Sequence, residues 1–182
     1  MTKFKLEVND SILLIIDLQE RLMSPMKDKE QVYKNTNLLI ETAKQLDIPI
    51  LLSEQYPKGL GTTVDEIKSN LPEHYYLDKV SFSACIPNFN SELESLGRKN
   101  IIVTGSETHI CVFQTVRDLI GLGYNVHLAK DAVCSRTDEN KNSGIELMKD
   151  VGAVISNTET IVFDLLKEAG TPEFKAISPL LK

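Results

Sequence analysis

The sequence predicts an α/β protein: a three-layer α-β-α sandwich around a mostly parallel, six-stranded sheet. Three observations carry that expectation. Short, near-continuous runs of Leu and β-branched residues suit parallel strands buried on both faces. Between them lie stretches with apolar residues at helical spacing. Strand and helix patterns alternate about six times, which implies helices on both faces and right-handed crossovers.

The elements follow in order. Residues 11–17 (SILLIID) read as the first strand, ending in an acid. Residues 30–46 carry Val32, Leu38, Leu39, Ala43 and Leu46 among polar residues and read as an amphipathic helix. Residues 48–53 (IPILLS) are the second strand, and the Gly/Pro/Thr-rich EQYPKGLGTT that follows is a loop. Residues 75–80 form a weaker strand, 88–96 a short helix closed by Gly97, and 100–104 (NIIVT) a strong strand. Residues 108–122 have helical periodicity, stopped by Gly121 and Gly123. A strand at 124–129, a helix at 138–151, a short strand at 153–156, a helix at 159–168 and a Pro-containing tail complete the chain.

A chain of 182 residues fits one domain, 1–182, with room for a substantial core. A net charge of −6 without a Lys/Arg stripe argues against a nucleic-acid partner. The longest apolar run is far too short to span a bilayer, and the N-terminus lacks the apolar segment of a secretory signal. Cys85, Cys111 and Cys134 form no CxxC and no zinc spacing with histidine, which favours free thiols and a cytoplasmic setting. The apolar helices point to a homo-oligomer. A small molecule is the expected substrate, and no cofactor or metal is expected.

Parallel sheets bind ligands at the carboxyl ends of their strands. Three reactive side chains fall there: Asp17, Lys79 and Cys111. Asp17 is a candidate general base; burial would raise its pKa and a nearby lysine would oppose that. An acid at that position is as often a helix cap or turn residue. Lys79 alone is ordinary, but beside a carboxylate and a thiol it would stabilise a thiolate. Cys111 lies in the first turn after residues 100–104, where helix N–H groups lower a thiol pKa and can hold an oxyanion. A buried cysteine is otherwise an inert hydrophobe, and Cys134 is the second choice. His109 lies two residues from Cys111, and such neighbours do not face each other on a helix. Gln19, Gln55, Tyr56 and Phe82 flank the strand ends and could line a substrate pocket. GLGTT lacks the Lys-Ser/Thr ending of a phosphate loop.

These residues sit within LLIIDLQE, KVSFSAC and VTGSETHICVFQTVRDLIGLGYNVHLAKDA. Together the three segments resemble the isochorismatase-like cysteine hydrolase family. The stretch SEQYPKGLGTTVDEI is most similar to its isochorismatase-domain-containing subgroup. The resemblance implies the isochorismatase-like hydrolase fold and a triad of Asp17 as catalytic acid, Lys79 as catalytic lysine and Cys111 as nucleophile. It further implies a cis peptide joining Ser106 and Glu107, and an oxyanion hole from the N–H groups of Glu107 and Cys111. The implied reaction is hydrolysis of a small amide-like C–N bond through a thioester. Metal-binding members carry Asp-x-His plus another histidine; His74, His109 and His127 do not reproduce that pattern. Members that cleave a vinyl ether tend to lack the cysteine, so Cys111 favours amide chemistry. A redox or thiol-sensing protein and a vinyl ether hydrolase are the alternatives.

Overall fold

The computed structural model describes residues 3–181. Its sheet contains six strands among the described residues, all parallel, in the order β3-β2-β1-β4-β5-β6. The strands are β1 (Ser11–Ile16), β2 (Ile50–Gln55), β3 (Tyr75–Lys79), β4 (Asn100–Ser106), β5 (Asn125–Cys134) and β6 (Val154–Ser156). The helices are α1 (Glu20–Met23), α2 (Lys29–Gln45), α3 (Pro57–Leu60), α4 (Asp65–Lys68), α5 (Pro87–Leu96), α6 (Phe113–Gly121), α7 (Asp138–Asp150), α8 (Thr158–Leu166) and α9 (Pro172–Ile177).

Every residue of β1, β2 and β4 is buried, as continuous apolar runs in a doubly covered sheet require. Alternate residues feed two separate cores. Leu13 and Ile15 pack with Leu39, Ala43, Ile161 and Leu165 of α2 and α8. Ile12, Leu14 and Ile16 pack with Phe89 and Leu93 of α5, Val116 and Leu119 of α6, and Met148 of α7. The chain runs outward from β1 through β2 to β3, then returns to β4 on the other side of β1. The order therefore reverses between β1 and β4, which is where an open parallel sheet forms a crevice.

The structure departs from the sequence-based expectations in several places; β4, expected over 100–104, runs on to Ser106. β2 runs on through Glu54 and Gln55, residues read as loop. β3 still pairs with them, and the Gln19 side chain replaces the β1 backbone on the other side. The rest of that stretch is not wholly irregular, because α3 and α4 each form a single turn. β5 continues past Ala129 to Cys134, with a register shift opposite Val103 and Gly105. Its polar Lys130 and Asp131 hid the continuation: Asp131 accepts hydrogen bonds from Thr158 N–H and Oγ1, tying β5 to the start of α8. Finally, residues 108–122 are not one α-helix. They open with a π turn, Thr108–Val112, before α6.

Candidate active site

Asp17 directly follows β1, in the left-handed backbone region at φ 51°. That turn ends the strand and leaves the carboxylate at the crevice, fully buried. Its Oδ1 accepts from Ser53 Oγ at 2.7 Å, and its own N–H donates to Ser53 O at 3.0 Å. Its Oδ2 accepts from Lys79 Nζ at 2.6 Å, in an ion pair with no solvent exposure on either side chain. Lys79 also donates to Gln55 Oε1 and Phe82 O, each at 3.0 Å.

Cys111 reaches the same carboxylate from the other side of the crevice. Its thiol comes close enough to Asp17 for each group to shift the other's pKa. β4 carries it there: Gly105 stands opposite Ile16, the Ser106–Glu107 peptide is cis, and the π turn follows. Gly105, at φ 137°, cannot be replaced without a collision, because a Cβ would meet the backbone of Ile16. Ser106 Oγ donates to Asp17 O at 2.8 Å, pinning the two strand ends together. Thr115 Oγ1 donates to Cys111 O at 2.7 Å and accepts from Ala84 N–H at 3.0 Å.

The triad residues predicted from sequence therefore meet in space, 62 and 94 residues downstream of Asp17 for Lys79 and Cys111. Their electrostatics differ from expectation. Helix N–H groups and Lys79 were expected to lower the Cys111 pKa. Burial instead pushes the thiol up to about 12; the Asp17 charge adds to that, and the Lys79 ammonium only partly offsets it. Asp17 itself lies above the ordinary carboxylate range because burial outweighs the opposing Lys79 and hydroxyl donors. The resting site is a neutral thiol beside the Asp17–Lys79 ion pair, not a preformed thiolate.

The four residues expected to line a pocket divide into two pairs. Gln19 is fully buried, and its carboxamide is turned to the backbone: Oε1 accepts from Gln55 N–H at 2.6 Å, and Nε2 donates to Gln55 O at 3.0 Å and Gly61 O at 2.7 Å. Gln55 faces Lys79 and Val80 O rather than open space. Tyr56 and Phe82 project outward, 52% and 53% exposed, while their backbones adjoin Lys79. Glu107 accepts from Arg136 N and Nε at 3.2 and 3.1 Å. His109 Nδ1 lies 3.0 Å from Ser135 Oγ, away from any triad hydrogen bond. Cys134 ends β5 beside Ser106 and is buried against Met23 Sδ. Among the described residues, no group of three or more His, Cys, Asp or Glu side chains is placed to hold a metal ion.

Ser53 is the residue that sequence reading missed. A serine closing an apolar strand carries no signal of its own; only its register opposite Ile16 shows that it must face Asp17.

Comparison with known proteins gives this arrangement a family. The isochorismatase domain model matches residues 11–160. The chain belongs to the isochorismatase family. Among its relatives within that family, the secreted isochorismatase effector Isc1 of Phytophthora sojae is 38% identical over 96% of this chain and 85% of its own length. Isochorismatase domain-containing protein 2 of Rattus norvegicus is 35% identical over 94% and 81%. The solved structure of the MAR1 ribonuclease from Caenorhabditis elegans superposes with a TM-score of 0.92 at 36% identity, covering 97% of this chain and 92% of that one. The family expectation drawn from the three motifs, and the α-β-α fold it carried, both hold.

Proposed function

We propose that this member of the isochorismatase family is a cysteine hydrolase acting on a small amide-like C–N bond through a covalent thioester. The observation that carries the reading is the buried cluster of Lys79, Asp17 and Cys111, with Lys79 bonded to Asp17 at 2.6 Å and the thiol beside the same carboxylate.

The raised pKa values dictate the order of events. A neutral thiol is a poor nucleophile, so its proton must leave as the sulfur attacks. The neighbouring Asp17 carboxylate receives that proton. The Lys79 ammonium offsets the negative charge left on sulfur. As the Sγ–C bond forms, the carbonyl π electrons move to oxygen, and the N–H groups of Glu107 and Cys111 hold the oxyanion. Collapse re-forms the carbonyl and breaks the C–N bond, while Asp17 returns its proton to the departing amine. Asp17 then takes a proton from water, the hydroxide adds to the thioester, and the acid and the Cys111 thiol are released. Tyr56 and Phe82 form the rim over which substrate enters.

Two observations support this reading over the alternatives. A redox sensor needs an accessible thiol of low pKa, whereas burial pushes Cys85, Cys111 and Cys134 each to about 12. The Caenorhabditis elegans relative is named a ribonuclease. For this chain a net charge of −6 without a basic stripe is a poor match to a phosphate backbone. The free thiols fit a cytoplasmic setting, although the Phytophthora sojae relative is named as secreted. Among the described residues no helix is long and apolar enough to cross a membrane. The exposed Tyr56, Val80 and Phe82 beside the site suit self-association, so a homo-oligomer is part of the proposal.

The test is a panel of small neutral amides turned over by wild type and by Cys111→Ala. The expected result is activity on at least one amide and a loss of at least about a thousandfold in the variant, the scale on which nucleophile removal acts. Equal turnover by the two proteins would sink the mechanism.

A further inference from the structure

We propose that Gln55 is a positioning residue for the reaction, holding the Lys79 ammonium against Asp17 without touching substrate; this rests on the reading of Cys111 as nucleophile.

The argument starts from register. Gln55 and Lys79 are paired residues of neighbouring parallel strands, so their side chains emerge on the same side of the sheet edge. The two ends of the Gln55 carboxamide face different partners. Nε2 donates to Val80 O at 2.7 Å, and Oε1 accepts from Lys79 Nζ at 3.0 Å. A flipped amide would set donor against donor at Lys79 and acceptor against acceptor at Val80, so only one orientation is allowed.

An ammonium group has three donors. Asp17 Oδ2, Gln55 Oε1 and Phe82 O supply an acceptor for each, at 2.6, 3.0 and 3.0 Å. Ser81 O is a fourth, longer contact at 3.4 Å, so without Gln55 the ammonium keeps Asp17 and two carbonyls of the 81–82 segment. Ser81 O and Phe82 O belong to an exposed loop, so Gln55 is the rigid anchor among the acceptors other than Asp17. It is rigid because it is clamped from behind. The Gln19 carboxamide bonds both the N–H and the C=O of Gln55, at 2.6 and 3.0 Å, imitating a strand neighbour where β1 has already ended. A continuous series of contacts thus runs Gln19, Gln55, Lys79, Asp17, Cys111.

The consequence concerns the sulfur. The Lys79 charge favours thiolate, against burial and the Asp17 charge. A lysine free to swing from its seat gives up part of that effect, and the fraction of reactive thiolate falls.

The test reads the thiol directly. Site-resolved alkylation of Cys111 by chloroacetamide at pH 8 is followed by mass spectrometry in wild type, Gln55→Met, Lys79→Met and the double variant. Gln55→Met is expected to slow alkylation roughly tenfold, the size of a modest loss of charge stabilisation. In the Lys79→Met background the same change should add less than about twofold, because the effect passes through the lysine. Gln55→Glu, nearly the same shape, covers the case where the Met variant does not fold; its carboxylate draws Lys79 off Asp17 and should also slow alkylation about tenfold. The inference is overturned if both folded Gln55 variants react like wild type. It is also overturned if Gln55→Met slows alkylation equally with and without Lys79. Failure of the nucleophile reading would appear elsewhere, as amide turnover by Cys111→Ala at the wild-type rate.

Discussion

Asp17 sits among donors of different strength. Ser53 and Lys79 hydrogen-bond to its carboxylate and the Cys111 thiol also favours its charge, yet burial still holds its pKa above the ordinary carboxylate range. To accept a proton from Cys111 it must be ionised. Activity should therefore rise with pH through the folded-state pKa of Asp17, with an acid limb lying higher than an ordinary carboxylate would give. A pH profile of kcat/KM checks this; a rate independent of pH down to pH 4 would contradict it. Ser53→Ala removes a donor that favours the ionised form, so the acid limb should move to higher pH. On that limb the rate should fall roughly ten- to a hundredfold, the worth of one hydrogen bond to a charged group. At alkaline pH the two proteins should converge. Position explains why some of these residues were legible and others were not. Asp17 ends an apolar run, and Cys111 follows one closely, so both stand out from their surroundings. Ser53 and Gln55 act through register and through backbone partners, which no local pattern records. Like Gln55, Gln19 was seen, but as a pocket residue. Its burial and backbone bonds make it a clasp instead.

The π turn at Thr108–Val112 places Cys111, and α7 backs it. The closest approach is at Gly144, where a Cβ would lie 2.8 Å from His109 Cα and 2.9 Å from both His109 N and the Thr108 carbonyl carbon. Two effects compete on substitution. Alanine is a better helix former than glycine by about 1 kcal/mol. Forcing a methyl into backbone atoms costs about 1–3 kcal/mol. The clash should win, since neither helix nor turn has a flexible side chain to give way. Gly144→Ala is expected to lower the urea midpoint and slow Cys111 alkylation together; a higher midpoint would show that α7 can shift freely. The periodicity of residues 108–122 correctly marked a helical segment but not its first turn. An i to i+5 hydrogen bond, here Val112 N–H to Glu107 O at 3.3 Å, leaves the apolar spacing almost unchanged. The extra lengths of β2 and β5 were hidden for a different reason. The last residues of β2, and Lys130 and Asp131 within β5, are polar, and Glu54, Gln55 and Asp131 are satisfied by tertiary partners, so they look like loop.

Across the molecule, three thiols share one electrostatic consequence. Burial pushes Cys85, Cys111 and Cys134 to about 12, while the same thiols in an unfolded chain ionise near 8.5, as is usual. Above that pH the unfolded state binds fewer protons than the folded one, so stability falls as pH rises. Each thiol contributes a slope of about 1.4 kcal/mol per pH unit. Unfolding free energies from urea titrations between pH 9 and 11 should therefore drop steeply. Cys134→Ala should reduce that slope by one thiol's share, whatever it does to stability at neutral pH. An unchanged slope would mean that Cys134 ionises within the fold. The broad architecture was readable because strands buried on both faces leave continuous apolar runs. Strand order was not readable, because pairing partners are set by crossovers that the pattern does not encode.

That order has an implication for how the site comes into being. Asp17 and Lys79 belong to the half of the sheet built from β1, β2 and β3, and Cys111 to the half built from β4, β5 and β6. The connection between the halves passes through the exposed Gly97, just before β4. A chain divided there yields one piece holding acid and lysine and another holding only the thiol. Neither piece contains a working set, and mixing them would restore one only as β1 and β4 zip together. The reversal of strand order thus makes this protein a natural candidate for a split reporter, in which the hydrolysis proposed above would report that two fragments have met.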